Sequence, residues 1–390
     1  MQDKPLKGVK VADFTRLFAG PFCTMLLADL GADVVKIEAP EGDPIRHQGP
    51  PFYDEKSMGF LAVNRNKRSV VLNAKDPEQL AVTRRLAEQA DIIVENFRPG
   101  VMDRMGLGYA ELSAKNPRLV YASMSGMGAT GPLRDKGAFD LTIQAEAGFM
   151  SLTGEPDGTP IKLGTSVFDL VCGQYALSAI LTALYQREQT GKGSHIETSL
   201  FEGLVSYLVD AGLEWLLMGN LRPKWGSEHA SNVPYKAFKA ADGWIVIGAA
   251  VQRLYESFVT VLGRADLLED PRFTTMRDRV SNRVELYAIL DAEVAKWPVE
   301  ELAEKLDTAN VPCAPVNTME GVFKHPQTLA RDMLVKARKP DGTDMPMIGS
   351  AIKFDNFDIS ADWKAPPALG AHTDEVLADW LNGGTRRAAQ

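Results

Sequence analysis

In the first 123 residues, short strand-type runs alternate with helical ones across connections of a few residues, and this constrains the fold more than any other feature. Val9-Lys10-Val11-Ala12-Asp13-Phe14 alternates as a strand does, Gly20-Pro21 opens a helical run from Phe22 to Asp29, Gly31 stops it, and Val34-Val35-Lys36-Ile37-Glu38 is a second strand. Two strands joined by a helix run parallel, with a right-handed crossover. Ser69 to Leu72, Pro77 to Ala90 and Asp91 to Glu95 follow the same strand, helix, strand order, and Leu119 to Ser123 adds a further strand. The first half is therefore expected to be a doubly wound α/β domain.

The pattern changes after Phe168. Leu170, Tyr175, Leu177, Ile180, Leu181 and Leu184 keep helical spacing as far as Thr190-Gly191-Lys192-Gly193, and His195 to Ser199 reads as a strand. Phe201 to Leu217 predicts one long apolar helix, and the polar stretch Gly219 to Ser231 a connection between domains. Asp242-Gly243 predicts a hairpin turn between Tyr235–Phe238 and Trp244–Ile247. Helical segments over Leu254–Leu262, Arg283–Lys296 and Val299–Ala309 complete a smaller α+β domain, and the tail ends in a helix from Thr373 to Leu381.

Composition narrows the function. The 390 residues are 45% hydrophobic and 24% charged, enough to bury a large core. No apolar run approaches the roughly 18–20 residues of a membrane span, and Met1-Gln2-Asp3-Lys4-Pro5 is not a basic-then-apolar leader, so a cytoplasmic protein without a membrane partner is expected. Cys23, Cys172 and Cys313 are widely spaced and read as reduced, buried thiols. A net charge of −8 argues against nucleic acid but leaves room for a basic pocket around one phosphorylated ligand.

Gly126-Met127-Gly128-Ala129-Thr130-Gly131 follows a strand and formally matches the dinucleotide fingerprint, yet Pro132-Leu133-Arg134-Asp135-Lys136-Gly137 continues as loop where that fingerprint requires a helix. His47, His195, His229, His325 and His372 form no metal pair and no serine-hydrolase set. Asp169 stands between Phe168 and Leu170 where the long helix begins. Residue type and position leave two readings open: an acid complementing the helix dipole, or a reacting carboxylate.

Longer motifs separate them. Asp13-Phe14-Thr15-Arg16-Leu17-Phe18-Ala19-Gly20-Pro21, Leu27-Ala28-Asp29-Leu30-Gly31-Ala32-Asp33-Val34-Val35-Lys36-Ile37-Glu38, Asn64-Arg65-Asn66-Lys67-Arg68-Ser69, Val94-Glu95-Asn96-Phe97-Arg98-Pro99-Gly100, Arg104-Met105-Gly106 and Gly370-Ala371-His372-Thr373-Asp374-Glu375-Val376-Leu377 resemble the family III CoA-transferases, such as the formyl-CoA:oxalate and carnitine CoA-transferases. The resemblance implies a Rossmann-like large domain built from both chain ends, a smaller central α+β domain, and a homodimer of interlocked rings. Carried onto this chain, residues 1–200 begin the large domain, 201–231 connect, 232–318 form the small domain and 319–390 return to the large one.

It also implies chemistry. Asp169, after Gly164-Thr165-Ser166-Val167, matches the family's nucleophilic aspartate, which forms an acyl anhydride and then a CoA thioester; no metal or organic cofactor enters that cycle, and CoA is itself a substrate. Leu72, Asn73, Lys75, Asn96, Phe97, Arg98 and Arg104 match the CoA-binding stretches. Phe18 and Ala19, with Gly137, Ala138, Phe139 and Asp140, are expected to flank the pantetheine and the reacting centre, Asp140 as a second active-site acid. Ala39 and Gly137 stand where some members carry a phosphate-binding Arg and a Lys, for which Arg46 or Lys136 is expected to compensate. The related 2-methylacyl-CoA racemases place a His where Ala138 stands, which argues for transfer; a non-catalytic CoA-binding protein is the third reading. Trp225 to Ala230 is similar to members using succinyl-CoA and small dicarboxylates, or carnitine-type acids, and His229 with Arg16 is expected to meet the acceptor's distal charge.

Overall fold

The computed structural model describes residues 3–382. Tertiary contacts divide the chain into two compact units, one comprising residues up to Phe149, Lys162–Gly219 and Leu329 onward, the other Met150–Ile161 and Asn220–Thr328.

The first unit is built on six parallel strands: β1 (Lys10–Asp13), β2 (Asp33–Glu38), β3 (Arg68–Val71), β4 (Ile92–Glu95), β5 (Val120–Ser125) and β6 (His195–Ser199). Val11, Val35, Ile92, Ile93, Val94 and Val120 are wholly buried, as a parallel sheet covered on both faces requires. Register runs Val11 against Val34 on one side and against Ile92 on the other, giving the order β3-β2-β1-β4-β5-β6. Direction of travel therefore reverses at β1, and the loops leaving β1 and β4 diverge around a crevice at their carboxyl ends, where open α/β sheets hold ligands.

Helix α1 (Ala19–Asp29) follows β1 and packs on α2 (Val167–Thr190), the helix that carries Asp169 in its first turn. The crossing is close: a Cβ on Gly173 would stand 2.6 Å from the Ala19 carbonyl oxygen. Gly173→Ala is thus expected to push the helices apart and cost about 1–3 kcal/mol, read as a lower denaturant midpoint at unchanged m. The 24-residue α2 also corrects the sequence reading, since by length and apolarity it could cross a membrane. Here ten of its residues, Phe168 to Arg187, are buried, eight of them in the hydrophobic core beside the sheet.

The long helix expected over Phe201–Leu217 is two, α3 (Leu200–Ser206) and α4 (Val209–Met218), because the chain turns at Tyr207-Leu208 and Val209 takes φ 34°. No residue of α4 is buried, and Leu216, Leu217 and Met218 are 76%, 80% and 70% exposed. At the other sheet edge the tail closes over β3: Arg68 pairs with Asp33, Glu375 and Asp379, Trp380 donates its indole N–H to Asp33, and Val376 and Trp380 enter the core.

The second unit holds β7 (Tyr235–Lys239), β8 (Trp244–Gly248) and β9 (Cys313–Pro315), antiparallel in the order β9-β8-β7, against helices Gln252–Val261, Arg283–Val294 and Val299–Thr308. Arg279, wholly buried, donates to the carbonyls of Val233, Ala250 and Phe273 and ties its loops together. The division at 219/220 and 328/329, and the placing of 150–161 in this unit, differ from the boundaries expected at 201, 232 and 319.

Candidate active site

The loop after β1 sits at the point of reversal, and side chains hold its backbone from several directions. Asp13 accepts from the Thr15 N–H at 2.9 Å, Lys36 donates to the Thr15 carbonyl at 2.7 Å, Asn96 exchanges two 2.8 Å bonds with the Arg16 N–H and carbonyl, and Asp43 accepts from the Leu17 N–H at 3.1 Å. Leu17, not a glycine, is thereby held at φ 64°, a conformation that costs energy and persists only where its surroundings impose it. Beneath lies a buried ionic network, Lys36 with Asp43 at 2.9 Å and Lys67 with Asp13 at 3.0 Å. Burial alone raises the Asp13 pKa, but Lys67, Lys36 and the Thr15 and Thr24 hydroxyls outweigh it and hold the carboxyl below its ordinary range.

Asp169 occupies the first turn of α2 and is half-buried, its carboxylate accepting no hydrogen bond from any described residue. Burial, reinforced by the nearby Asp140 charge, lifts its pKa to about 7. Asp140 opens the helix Asp140–Glu146 and is 7% exposed. One of its oxygens accepts the N–H groups of Phe168 at 3.0 Å and Asp169 at 3.3 Å, and the other accepts from the Gln144 amide.

Asp169 and Asp140 line a cavity of about 510 Å³. Arg16, Phe18 and Ala19 line it from the β1 loop, Asn96, Phe97 and Arg98 from the β4 loop, and Gly137, Ala138 and Phe139 from the segment before Asp140. The structure thus brings eleven of the expected residues together. The glycine-rich run 126–131 is a loop, and Gly126 is required there because a Cβ would stand 2.4 Å from that of Ala138.

Five expected ligands, Leu72, Asn73, Lys75, Arg104 and His229, stand outside this lining. Leu72 is in the hydrophobic core, Asn73 accepts from the Lys75 N–H in a turn ahead of the helix Pro77–Gln89, and Arg104 is exposed on the short helix Val101–Arg104. His229 lies in the second unit, where its Nδ1 accepts from the Ser231 N–H at 3.1 Å. Arg46 does not replace the missing phosphate ligand at Ala39: its guanidinium pairs with Glu38 at 2.7 Å, bonds the Pro367 carbonyl and stacks on Phe60. Lys136 does line the cavity and pairs with Glu146.

Several lining residues carried no signal in isolation. Cys172, read in the sequence only as a buried thiol, is one turn beyond Asp169, and that helical spacing is the signal that could have found it; its thiol is pushed up to about 12 by burial, which keeps it protonated. Arg134 and Lys162 add cations that only the folded chain brings to the site.

A sheet with the 3-2-1-4-5-6 order, a carboxylate in the switch-point crevice and cations around it define an α/β enzyme that handles an anionic ligand. Residues 6–373 match CoA-transferase family III, and the chain belongs to that family. It is 38% identical over 379 residues to the succinyl-CoA:glutarate CoA-transferase of Mus musculus, covering 97% of this chain and 87% of that one. It is 40% identical over 367 residues to the acetyl-CoA:oxalate CoA-transferase of Acetobacter aceti, covering 94% and 93%. Among solved structures, a CAIB/BAIF family protein from Brucella suis superposes with a TM-score of 0.88 at 37% identity, over 97% of this chain and all of that one. The resemblance read in the sequence is thereby confirmed at the level of family, enzyme class and α/β fold.

Proposed function

We propose that this enzyme moves CoA from a donor of the succinyl-CoA kind to a small carboxylic or dicarboxylic acid, with Asp169 as the nucleophile. The observation that carries the reading is an Asp169 carboxylate that accepts no hydrogen bond from any described residue, on the wall of the switch-point cavity. Its oxygen attacks the thioester carbonyl, the C–S bond breaks and CoA leaves as thiolate, giving an anhydride. The thiolate then attacks the aspartyl carbonyl; the anhydride C–O bond breaks, the donor acid departs as carboxylate and an aspartyl thioester remains. The acceptor carboxylate runs the two steps in reverse and restores Asp169, so no proton is consumed.

Each tetrahedral oxyanion needs donors. The start of α1 supplies candidates, because Phe18 and Ala19 line the cavity and the helix has neither a side-chain cap nor an acid in its first turn. Arg98, Arg134, Lys136 and Lys162 suit the CoA phosphates, and Arg16 suits a distal carboxylate on the acceptor. Asp140 serves as a positioning group, since N–H donors occupy both of its oxygens. Ala138 provides no base for α-proton removal, which counts against the racemase reading. The uncovered apolar helix α4 supports a homodimer.

Incubation with succinyl-CoA and hydroxylamine, followed by mass analysis, is expected to give a hydroxamate on the Asp169 peptide. Turnover without that adduct would remove Asp169 from the reaction, and neither turnover nor adduct would favour a CoA-binding protein.

A further inference from the structure

Gln144 lies outside the cavity lining, is 1% exposed, and uses both ends of its amide. The Leu163 main-chain N–H, which can only donate, bonds Oε1 at 3.0 Å, so the Gln144 NH₂ faces the other way, onto Asp140. Asp140 is likewise constrained from its far side, where the N–H groups of Phe168 and Asp169 can only donate. Both Asp140 oxygens therefore act as acceptors: Leu163 donates to Gln144 and Gln144 to Asp140 from one side, Phe168 and Asp169 donate to Asp140 from the other, and no link can be reversed. Gln144 and Asp140 are four residues apart on one helix, which aligns them for this contact.

We infer that Gln144 is a positioning residue for the transfer reaction: through Asp140 it fixes the first turn of α2 and, with it, the place of the Asp169 carboxylate. The inference rests on the reading of Asp169 as nucleophile. Reacting atoms misplaced by about an ångström lose on the order of a hundredfold in rate, so the effect belongs in kcat.

The chain of donors and acceptors sets the test. Gln144→Glu keeps an acceptor for the Leu163 N–H but turns a second acceptor onto Asp140. Asp140→Asn keeps an acceptor for Phe168 and Asp169 but turns its NH₂ onto the NH₂ of Gln144. In the double variant D140N/Q144E the asparagine donates to the glutamate, every bond is restored, and the negative charge moves from position 140 to 144.

Each single variant of the full-length enzyme is expected to lose at least about tenfold in kcat with the acyl-CoA KM held within about threefold, and the double variant to recover to within about fivefold of wild type. A packing role independent of Asp140 predicts a double variant as poor as the product of the two singles. That result, a double variant that does not fold, or a Q144E enzyme within about twofold of wild type in kcat would overturn the inference. Hydroxylamine trapping on the wild-type enzyme keeps the two readings apart: a missing Asp169 adduct strikes the nucleophile assignment, whereas the coupling between positions 140 and 144 is measured regardless.

Discussion

Asp169→Asn is expected to abolish CoA transfer and, at pH 8, to make the folded protein more stable. Loss of turnover follows because an amide cannot form the anhydride, and the Cys172 thiol one turn away, held protonated by burial, does not take its place. The gain in stability follows from linkage. The unfolded chain ionises Asp169 near the ordinary carboxylate value, whereas burial and the Asp140 charge raise the folded value to about 7. The native state therefore holds its proton more tightly, and stability falls as pH rises between these values, reaching its full loss above about 7. The ceiling on that loss is about 4 kcal/mol, and solvent at the cavity mouth brings the expected figure to roughly 1–3 kcal/mol. Urea unfolding of both proteins at pH 4 and pH 8 reads it directly: equal at pH 4, variant more stable at pH 8. An equal pair at both pH values would show that Asp169 is not held in an unfavourable charge state. The same ionisation places the acid limb of kcat/KM near 7 in the wild type.

The second large effect lies below the β1 loop. Lys36→Met leaves Asp43 buried without its ion-pair partner and removes the bond to the Thr15 carbonyl. Breaking one side of a buried pair costs about 3–5 kcal/mol. For a unit of this size that is roughly 6–20 °C in Tm, easily read by calorimetry. Activity should fall further than stability accounts for, because Asp43 is also what holds the Leu17 N–H, and a loop free to leave φ 64° withdraws Phe18 and Ala19 from the cavity wall. A Lys36→Met protein that melts within about 2 °C of wild type and turns over normally would refute both halves of the argument.

Local pattern carried the parallel sheet, because apolar β-branched runs and short connections leave few alternatives, and it placed Asp169 at a helix start. Family motifs brought Phe18, Asn96, Phe97, Arg98 and Ala138 into view. What stayed hidden depends on partners outside the local repeat of helix and strand. Asn96 is spent on the Arg16 backbone, Arg46 on Glu38, and Asp140 on the first turn of α2, and none of these bonds leaves a periodicity to read. Leu72 matched a ligand motif but directly follows a buried strand, and packing claimed it. The break at Tyr207-Leu208 interrupts a run whose composition is helical throughout, so only the backbone reveals it.

The clasp of the tail over β3 has a consequence for biosynthesis. Arg68 leaves the ribosome early, yet Glu375, Asp379 and Trp380, which complete its edge of the sheet, are translated roughly 300 residues later, on the order of 15–60 s at ordinary elongation rates. For that interval the nascent sheet presents an unfinished border to the crowded cell, so a premature stop near the end of the message would release an aggregation-prone chain rather than a slightly shortened enzyme.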